Sequence, residues 1–309
     1  MTLLPLADAR ADALALWTRS ATRTPFSHPA FAEAVGAAFG LTPLAVLSDQ
    51  TGVIGLEKTR GPLRALALPP LAPEAPPLLT AHATEAAAHS GETPLATLVS
   101  TLADRFDQAA FALGPWPDAR PFAWAGWNVA TRYTYALDVS PEAPDRWSKT
   151  TRWEARRHAD AYIVEWGDAP LARAADLEVA AYDRKDADLG ISPEAIADVA
   201  RALADAGLAR AVGARNRETG ALDAAAVFAV DSDRAWYWIA GSVPGPAMTV
   251  LLDRAVRDLA SGGVAHLDWA GANVPSVAEF KRKRADRLVP TLTVRHVGPR
   301  WLRAAHALR

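Results

Sequence analysis

The sequence contains no cysteine among its 309 residues. A disulfide, a thiolate metal site and a cysteine nucleophile are therefore excluded, and any acyl transfer must proceed without an acyl-cysteine intermediate. No uncharged apolar run approaches the roughly 18 residues that a membrane span requires. The N-terminus has no basic segment followed by an apolar core, so no signal peptide is predicted. We expect a protein without a membrane span, located in the cytoplasm.

Motifs of several enzyme classes are also missing. The seven histidines show no metal-binding spacing, and there is no Gly-x-Ser-x-Gly nucleophile elbow, which weakens a hydrolase interpretation. We predict no metal and no permanently bound cofactor. Lysine and arginine number 33 against 35 acidic residues, a balance unlike that of a basic nucleic-acid-binding protein, although a local basic patch remains compatible with it.

Half of the residues are apolar and 22% are charged, which suits a folded chain with one large or two ordinary domains. The second half of the sequence reads as three sequential strands followed by alternating helices and strands. This order predicts an α/β fold in which helices flank a mixed sheet. A strand–Thr-Gly–strand pattern at Thr51-Gly52 and again at Thr219-Gly220 is weak evidence for a duplicated domain. We divide the chain into residues 1–135 and 136–309.

Several local patterns give specific expectations. Ser27 is predicted to cap a helix that has Pro29 in its first turn. Residues 69–77 contain five prolines and predict an exposed loop. Residues 123–127 are predicted to be extended, and a last helix is predicted over residues 299–308.

A strand, a Gly/Pro/Ser loop and a helix follow one another between residues 236 and 260. The helix carries unpaired backbone N–H groups and a partial positive charge at its N-terminus, so it is suited to hold a phosphate. Gly241 and Gly245 have no side chain that would block a ligand. We predict Gly241, Ser242, Gly245 and Ala247 as donor-binding residues, although an ordinary strand–turn–helix corner has the same pattern.

The helix of this corner has one clear apolar face and two i, i+4 ion pairs on the opposite side. The ion pairs are Asp253–Arg257 and Arg254–Asp258. The apolar face consists of Met248, Leu251, Leu252, Ala255 and Leu259.

The stretch that follows carries a family resemblance. Asp268-Trp269-Ala270-Gly271 ends a strand, Phe280-Lys281 follows on a short helix, and a basic turn leads to a final strand. This arrangement resembles the Fem branch of the GNAT superfamily, and the match covers about residues 131–297. The resemblance implies two GNAT domains side by side, with donor and acceptor meeting in a cleft between them. Members use aminoacyl-tRNA to build peptidoglycan cross-bridges, or acyl-CoA to acylate other amines.

The resemblance also implies site residues. Phe280 and Lys281 match the family pair at the reaction centre. Lys281 could neutralise a donor phosphate or the oxyanion of a tetrahedral intermediate, while a basic run at residues 281–284 also suits a solvated helix end. Asp268 could accept the proton of the acceptor amine, or it could cap the turn that follows it. We predict Phe280, Lys281 and Asp268 as catalytic.

Four further residues are predicted to bind substrate. Arg152 and Arg156 share a basic stripe with Lys149, which is either a solvated face or a site for a phosphorylated ligand or RNA. Tyr237 alternates with two tryptophans on its strand and is the better pocket candidate of the three. Asn273 is a weaker candidate, because the sequence around it also suits a turn.

These patterns and the resemblance predict an N-acyltransferase that moves an acyl or aminoacyl group to an amine. The co-substrate would be acyl-CoA or aminoacyl-tRNA, with acyl-CoA preferred because the net charge is −2 and the helical arm of some cross-bridge enzymes has no counterpart. The acceptor would be a small molecule or a cell-wall precursor. The alternative is a non-catalytic GNAT-fold module that binds an anionic ligand or a protein partner. The sequence leaves the oligomeric state open.

Overall fold

The computed structural model describes residues 1–87, 93–116, 118–184 and 190–298. The chain forms two compact units: unit 1 is Met1–Arg132 together with the chain from Pro290 onward, and unit 2 is Tyr133–Val289. The sequence-based division differs, because it places residues 290–309 in the second domain. Strand pairing between residues far apart in the sequence determines this assignment, and local patterns do not encode it.

Unit 1 begins with a strand and two helices, continues with a meander of strands, and ends with helix–strand units. Its elements are β1 (Thr2–Pro5), α1 (Leu6–Arg19), α2 (Pro29–Phe39), β2 (Thr42–Leu47), β3 (Thr51–Arg60), β4 (Leu63–Ala67), β5 (Leu78–Leu79), α3 (Ala81–Ala87), α4 (Pro94–Arg105), β6 (Gln108–Gly114) and α5 (Arg120–Trp124). The chain enters unit 2 within β7 (Asn128–Asp138) and returns within β13 (Arg287–Val297).

The sheet of unit 1 has the strand order β1-β2-β3-β4-β6-β13, with β5 beside β3. Its pairs are antiparallel except β4–β6, which is parallel. The last strand belongs to this sheet because Leu292–Val297 pairs with Gln108–Gly114. Leu98, Phe106 and Phe111 lie in a buried apolar core against this sheet.

The local expectations for unit 1 have mixed outcomes. The helix that begins at Pro29 is capped by the Nδ1 atom of His28, which accepts from Ala30 N–H. Ser27 instead belongs to a preceding 3-10 turn. Residues 69–77 form a loop, as predicted, but most of its second half is buried. Residues 120–124 are helical, so the extended prediction for residues 123–127 was wrong. The predicted helix at residues 299–308 lies outside the described residues.

Unit 2 repeats the order of elements found in unit 1: a strand, two helices, a meander of strands, a helix and a parallel strand. Its elements are α6 (Lys149–His158), β8 (Tyr162–Trp166), α7 (Ala169–Asp183), α8 (Pro193–Asp205), β9 (Ala209–Asn216), β10 (Leu222–Asp231), β11 (Arg234–Ser242), α9 (Ala247–Ser261), β12 (His266–Asp268) and α10 (Pro275–Arg282). The strand order is β7-β12-β11-β10-β9-β8. The parallel pair is β11–β12.

The duplicated-domain expectation gains support from this order. The β2–β3 hairpin of unit 1 and the β9–β10 hairpin of unit 2 occupy the same place in the two series of elements. Each unit is therefore a mixed sheet flanked by helices, which confirms the predicted fold class.

Helix α9 packs the unit 2 core as the sequence predicts. The five residues of its predicted apolar face are all buried. Both predicted ion pairs are present, with Arg254 Nε 2.9 Å from Asp258 Oδ1 and Arg257 Nε 3.3 Å from Asp253 Oδ2. Within the described ranges, no helix is both long enough and apolar enough to cross a bilayer.

Candidate active site

The pairing of the parallel strands β11 and β12 ends before β11 does, and we call the place where it ends the fork. The paired residues end with Trp236 opposite Asp268, where β12 stops, whereas β11 continues to Ser242. A β-bulge at Trp238, where the register with β10 shifts, lies in the part of β11 beyond the fork. Ligands of sheets with parallel strands usually bind outside the carboxyl ends of those strands, and bulges are frequent beside active sites. The fork is therefore the natural place for a site in unit 2.

Helix α9 begins at this edge of the sheet, immediately after β11. Gly245 has a φ of +139°, and an added Cβ would meet no atom within 4 Å. Ala247 is the first helical residue and its side chain is fully buried, so its contribution to a ligand would come from its backbone N–H. The first N–H groups of a helix have no acceptor within the helix. Gly245 and Ala247 thus remain candidates for donor binding.

Gly241 and Ser242 have a different role from the one predicted. A Cβ on Gly241 would lie 2.2 Å from the carbonyl carbon of Leu177 and 2.5 Å from Glu178 N, because the backbone of α7 crosses directly over this strand. The carbonyl of Ser242 accepts a 2.9 Å hydrogen bond from the guanidinium of Arg184, at the end of the same helix. These two residues therefore hold α7 against β11, and the donor-binding role predicted for them has no support from their contacts.

Asp268 is tied to the turn that follows β12. Its Oδ1 accepts from the Thr134 hydroxyl at 2.5 Å and from Ala270 N–H at 2.6 Å. The same hydroxyl oxygen accepts from Gly271 N–H. Burial raises the pKa of Asp268, while these two hydrogen bonds and nearby cations act in the opposite direction. The turn-capping alternative describes the observed contacts, and the half-buried residue stands at the fork.

Lys281 lies beneath the same turn. Its ammonium donates 3.0 Å hydrogen bonds to the carbonyls of Ala270 and Gly271, and the side chain is buried. Ala270 has a φ of +54°, an unusual conformation for a residue with a side chain. Burial lowers the pKa of Lys281 to about 8, and the carboxylates of Asp268 and Glu178 oppose that shift.

The basic run at residues 281–284 has two buried and two outward-facing members. Lys281 and Arg284 are buried, whereas Arg282 and Lys283 pair with Glu279 on the outer side. The run is therefore not uniformly solvated: Lys281 lies on α10, and Arg284 lies in the turn that follows the helix.

Arg284 is a buried cation that the sequence analysis missed. Its guanidinium carbon lies 3.9 Å from the centroid of the Phe280 ring, and it donates to the Thr249 hydroxyl at 2.8 Å. That hydroxyl donates in turn to Glu154 Oε2 at 2.6 Å. Burial lowers the pKa of Arg284 to about 10. Phe280 thus packs beside this cation, and Arg284 connects the end of α10 to the first turn of α9.

Glu178 is the second residue that sequence reasoning missed. It follows Leu171, Ala174 and Ala175 at positions i+7, i+4 and i+3 of α7, so it falls on the buried face of that helix. Its carboxylate accepts from the backbone N–H of Ala240, beyond the fork. Among the described residues, its buried Oε2 atom has no hydrogen-bond partner. Burial raises its pKa to about 7, against the effect of Ala240 N–H and of the Lys281 ammonium.

Tyr237 and Asn273 are engaged in structural contacts. Tyr237 is buried between Phe228 and Trp269, and its hydroxyl donates to the sulfur of Met248 at 3.4 Å. Burial raises its pKa. The side-chain amide of Asn273 donates to the carbonyl of Tyr133 and accepts from its N–H, both at 3.0 Å. The Tyr237 side chain is therefore closed off from a ligand, whereas Asn273 is exposed and its side-chain amide is used on the backbone of Tyr133.

The basic stripe forms a shallow depression of about 550 Å³ on α6. Trp153 is 61% exposed there, and the Arg157 guanidinium lies 5.7 Å from the centroid of its ring. Arg156 is 3.3 Å from Asp145, whereas the buried Nε of Arg152 has no hydrogen-bond partner within the described part of unit 2. The lining residues, which we call the α6 basic face, are Lys149, Arg152, Trp153, Arg156 and Arg157.

The described residues include no group of three or more histidine and acidic side chains arranged to hold a metal ion. No model of a protein family matches the sequence, and no curated protein sequence matches it.

Solved structures do match the fold. FemX superposes with a TM-score of 0.69 at 10% identity, over 94% of this chain and 97% of FemX. The C-terminal domain of a putative lysylphosphatidylglycerol synthetase from Agrobacterium fabrum gives 0.60 at 14% identity, over 98% and 95% of the two chains. A tandem GNAT protein from the clavulanic acid biosynthesis pathway gives 0.51 at 16% identity, over 96% and 99%. The chain therefore has the fold of FemX and of tandem GNAT proteins, which confirms the fold that the resemblance implied.

Proposed function

We propose that this protein transfers an acyl or aminoacyl group from an activated donor to an amine, with its chemistry in unit 2. The observation that carries the proposal is the set of charged groups at the fork, the buried Lys281 and the half-buried Glu178 and Asp268. They lie where two parallel strands end and where the helix with a suitable anion-binding turn begins. The likeness to FemX and to a tandem GNAT protein agrees with acyl transfer and does not identify the substrates.

The reaction needs an anion site, a stabiliser of negative charge and a proton acceptor. The amine nitrogen attacks the donor carbonyl, a C–N bond forms, and the C–S bond of a thioester or the C–O bond of an ester breaks. The electron pair of that bond leaves with the thiolate or the alkoxide, and the nitrogen loses one proton. Negative charge develops on the carbonyl oxygen before the leaving group departs.

Two features of unit 2 suit these needs. The start of α9, with Gly245 and the N–H of Ala247, would hold a phosphate of the donor. A lysine ammonium has three donor hydrogens, and Lys281 uses two of them on the carbonyls of the turn. The third would be directed to the developing oxyanion. The turn would thus hold the Lys281 ammonium in a fixed position beside the developing negative charge.

Acyl-CoA is our preferred donor and aminoacyl-tRNA is the second. The overall net charge of −2 gives no general attraction to RNA. The α6 basic face, with its exposed Trp153, is the observation that favours RNA, because cations bind phosphates and an aromatic ring stacks on bases.

The same face supports a second candidate function, a non-catalytic module that binds an anionic ligand through α6. Binding without turnover would then be the whole activity. In that case the turn contacts of Asp268 and Lys281 would serve structure alone.

A release assay tests the proposal directly. Purified protein is incubated with acetyl-CoA or longer acyl-CoAs and a panel of amino sugars, amino acids and polyamines, and the free thiol is measured with a thiol reagent. The protein contributes no background because it has no cysteine. A parallel reaction follows deacylation of aminoacyl-tRNA. Amine-dependent release of either leaving group supports acyl transfer, whereas binding without release supports the second candidate.

The donor is identified by binding. CoA at 100 times its Kd should add about 2.7 kcal/mol to the free energy of unfolding. If tRNA is the donor, its affinity should fall steeply between about 50 and 200 mM salt, and Arg157→Glu on the α6 basic face should weaken it. Arg201→Glu, at an exposed position of α8, is the matched charge reversal. Tight, salt-sensitive tRNA binding with no response to CoA would reverse our preference.

A further inference from the structure

Glu178 places a carboxylate near the fork, and one of its oxygens, Oε2, has no hydrogen-bond partner among the described residues. We propose that Glu178 accepts the proton that the acceptor amine loses during acyl transfer. This inference rests on the proposed function above and replaces Asp268 as the proton acceptor.

The position of Glu178 is set by two contacts between α7 and β11. The missing side chain of Gly241 allows the α7 backbone at Leu177 and Glu178 to lie directly on β11. At the end of the helix, Arg184 donates to the carbonyl of Ser242. Both contacts involve the last two residues of β11, so the strand beyond the fork and the helix that carries Glu178 are held together.

Glu178 Oε2 is buried without a hydrogen-bond partner among the described residues, while the nearby backbone N–H of Ala240 favours the ionised carboxylate. An unpaired buried acceptor is costly, and an incoming N–H group of the amine would satisfy it. The residue as a whole is half-buried, and Tyr182, one turn further along α7, is 40% exposed. Solvent therefore reaches part of the Glu178 residue and the neighbouring turn of α7.

Asp268 is less suited to the same role. Its Oδ1 already accepts from the Thr134 hydroxyl and from Ala270 N–H, and these bonds stabilise its ionised form and hold the turn. A proton acceptor must take up a proton without losing the bonds that maintain its site. Protonation of Asp268 would weaken the bonds that hold the turn, whereas Glu178 Oε2 has no hydrogen-bond partner among the described residues to lose.

The charged and titratable groups that face Glu178 come from three elements: Lys281 on α10, Tyr182 on α7 and Tyr237 on β11. The lysine ammonium favours the ionised carboxylate, and burial disfavours it. The resulting pKa of about 7 suits a general base that works near neutral pH. After the C–N bond forms, the proton passes from the Glu178 carboxyl to the departing thiolate or alkoxide, so the carboxylate is regenerated.

The test compares Glu178→Gln and Glu178→Asp with the wild-type chain, using acetyl-CoA or aminoacyl-tRNA and the amine identified in the release assay. Glutamine keeps an acceptor for Ala240 N–H but cannot take the proton. Asp176→Asn, an exposed change on the same helix, is the matched control. We expect kcat/KM to fall about 10²–10⁴-fold in Glu178→Gln, to recover in part in Glu178→Asp, and to stay within about twofold in the control.

Two readouts separate proton transfer from a structural role. The wild-type pH profile of kcat/KM should rise through about pH 7, following the Glu178 pKa, and this limb should be lost in Glu178→Gln. The donor should stabilise the variant against heat as it does the wild type. Activity retained within about threefold, or activity and donor binding lost together, would overturn the assignment of Glu178 while wild-type turnover still supports the proposed function. A wild-type chain that turns over neither class of donor overturns both.

Discussion

Replacing Glu178 with glutamine should stabilise the protein above neutral pH. The carboxyl group ionises with a pKa of 4.5 as a free side chain, but burial raises its pKa to about 7 in the native state. The unfolded chain therefore releases this proton first. As the pH rises from about 4.5 to about 7, the native state loses stability relative to the unfolded state. Glutamine does not ionise, so the stability of the variant does not decrease for this reason as the pH rises.

The size of the effect follows from the two pKa values. Each pH unit between them is worth about 1.4 kcal/mol, so the interval from 4.5 to about 7 corresponds to about 3 kcal/mol. Linkage gives a difference of about 1 kcal/mol at pH 5 and about 3 kcal/mol at pH 8 in favour of Glu178→Gln.

Urea denaturation at pH 5 and pH 8 measures this difference, provided that the slopes of the two proteins agree. Asp176→Asn, whose side chain is exposed on the same helix, should change the free energy of unfolding by no more than about 0.5 kcal/mol at either pH. A Glu178→Gln variant that is equal to or less stable than the wild type at pH 8 would refute the argument. Glu178 would then be ionised and well paired in the native state, and a poor proton acceptor.

Two further substitutions test the contacts of the site. Lys281→Met removes the ammonium that binds two backbone carbonyls and that lies near the carboxylates of Asp268 and Glu178, so the free energy of unfolding should fall by about 3–5 kcal/mol. Arg282→Met, at an exposed position, is the control and should change it by no more than about 0.5 kcal/mol. Equal urea midpoints for the two variants would contradict the burial of Lys281. Gly241→Ala places a Cβ 2.2 Å from the carbonyl carbon of Leu177 and should cost about 1–3 kcal/mol. Gly262→Ala, whose Cβ meets nothing closer than 3.4 Å, is the control. A melting temperature of Gly241→Ala equal to that of the wild type would show that α7 does not pack directly on Gly241.

Much of the local structure could be predicted from the sequence. The apolar spacing of α9 identified both its buried face and its two surface ion pairs, because helical periodicity is a property of neighbouring residues. Ser192 caps α8 through its hydroxyl, and Gly40 ends α2 with a φ of +63°, for equally local reasons. The Asp-aromatic-x-Gly and Phe-Lys patterns were sufficient to predict the fold.

Only the tertiary structure decided which polar groups are buried and what they contact. Lys281 and Arg282 are adjacent in one basic run, yet the first is buried beneath a turn and the second is exposed. Gly241 was predicted to make room for a ligand, and the space is filled by the backbone of α7. Glu178 lies about sixty residues before the strand it meets. Burial and pKa depend on packing partners distant in the sequence, and local periodicity carries no information about those partners.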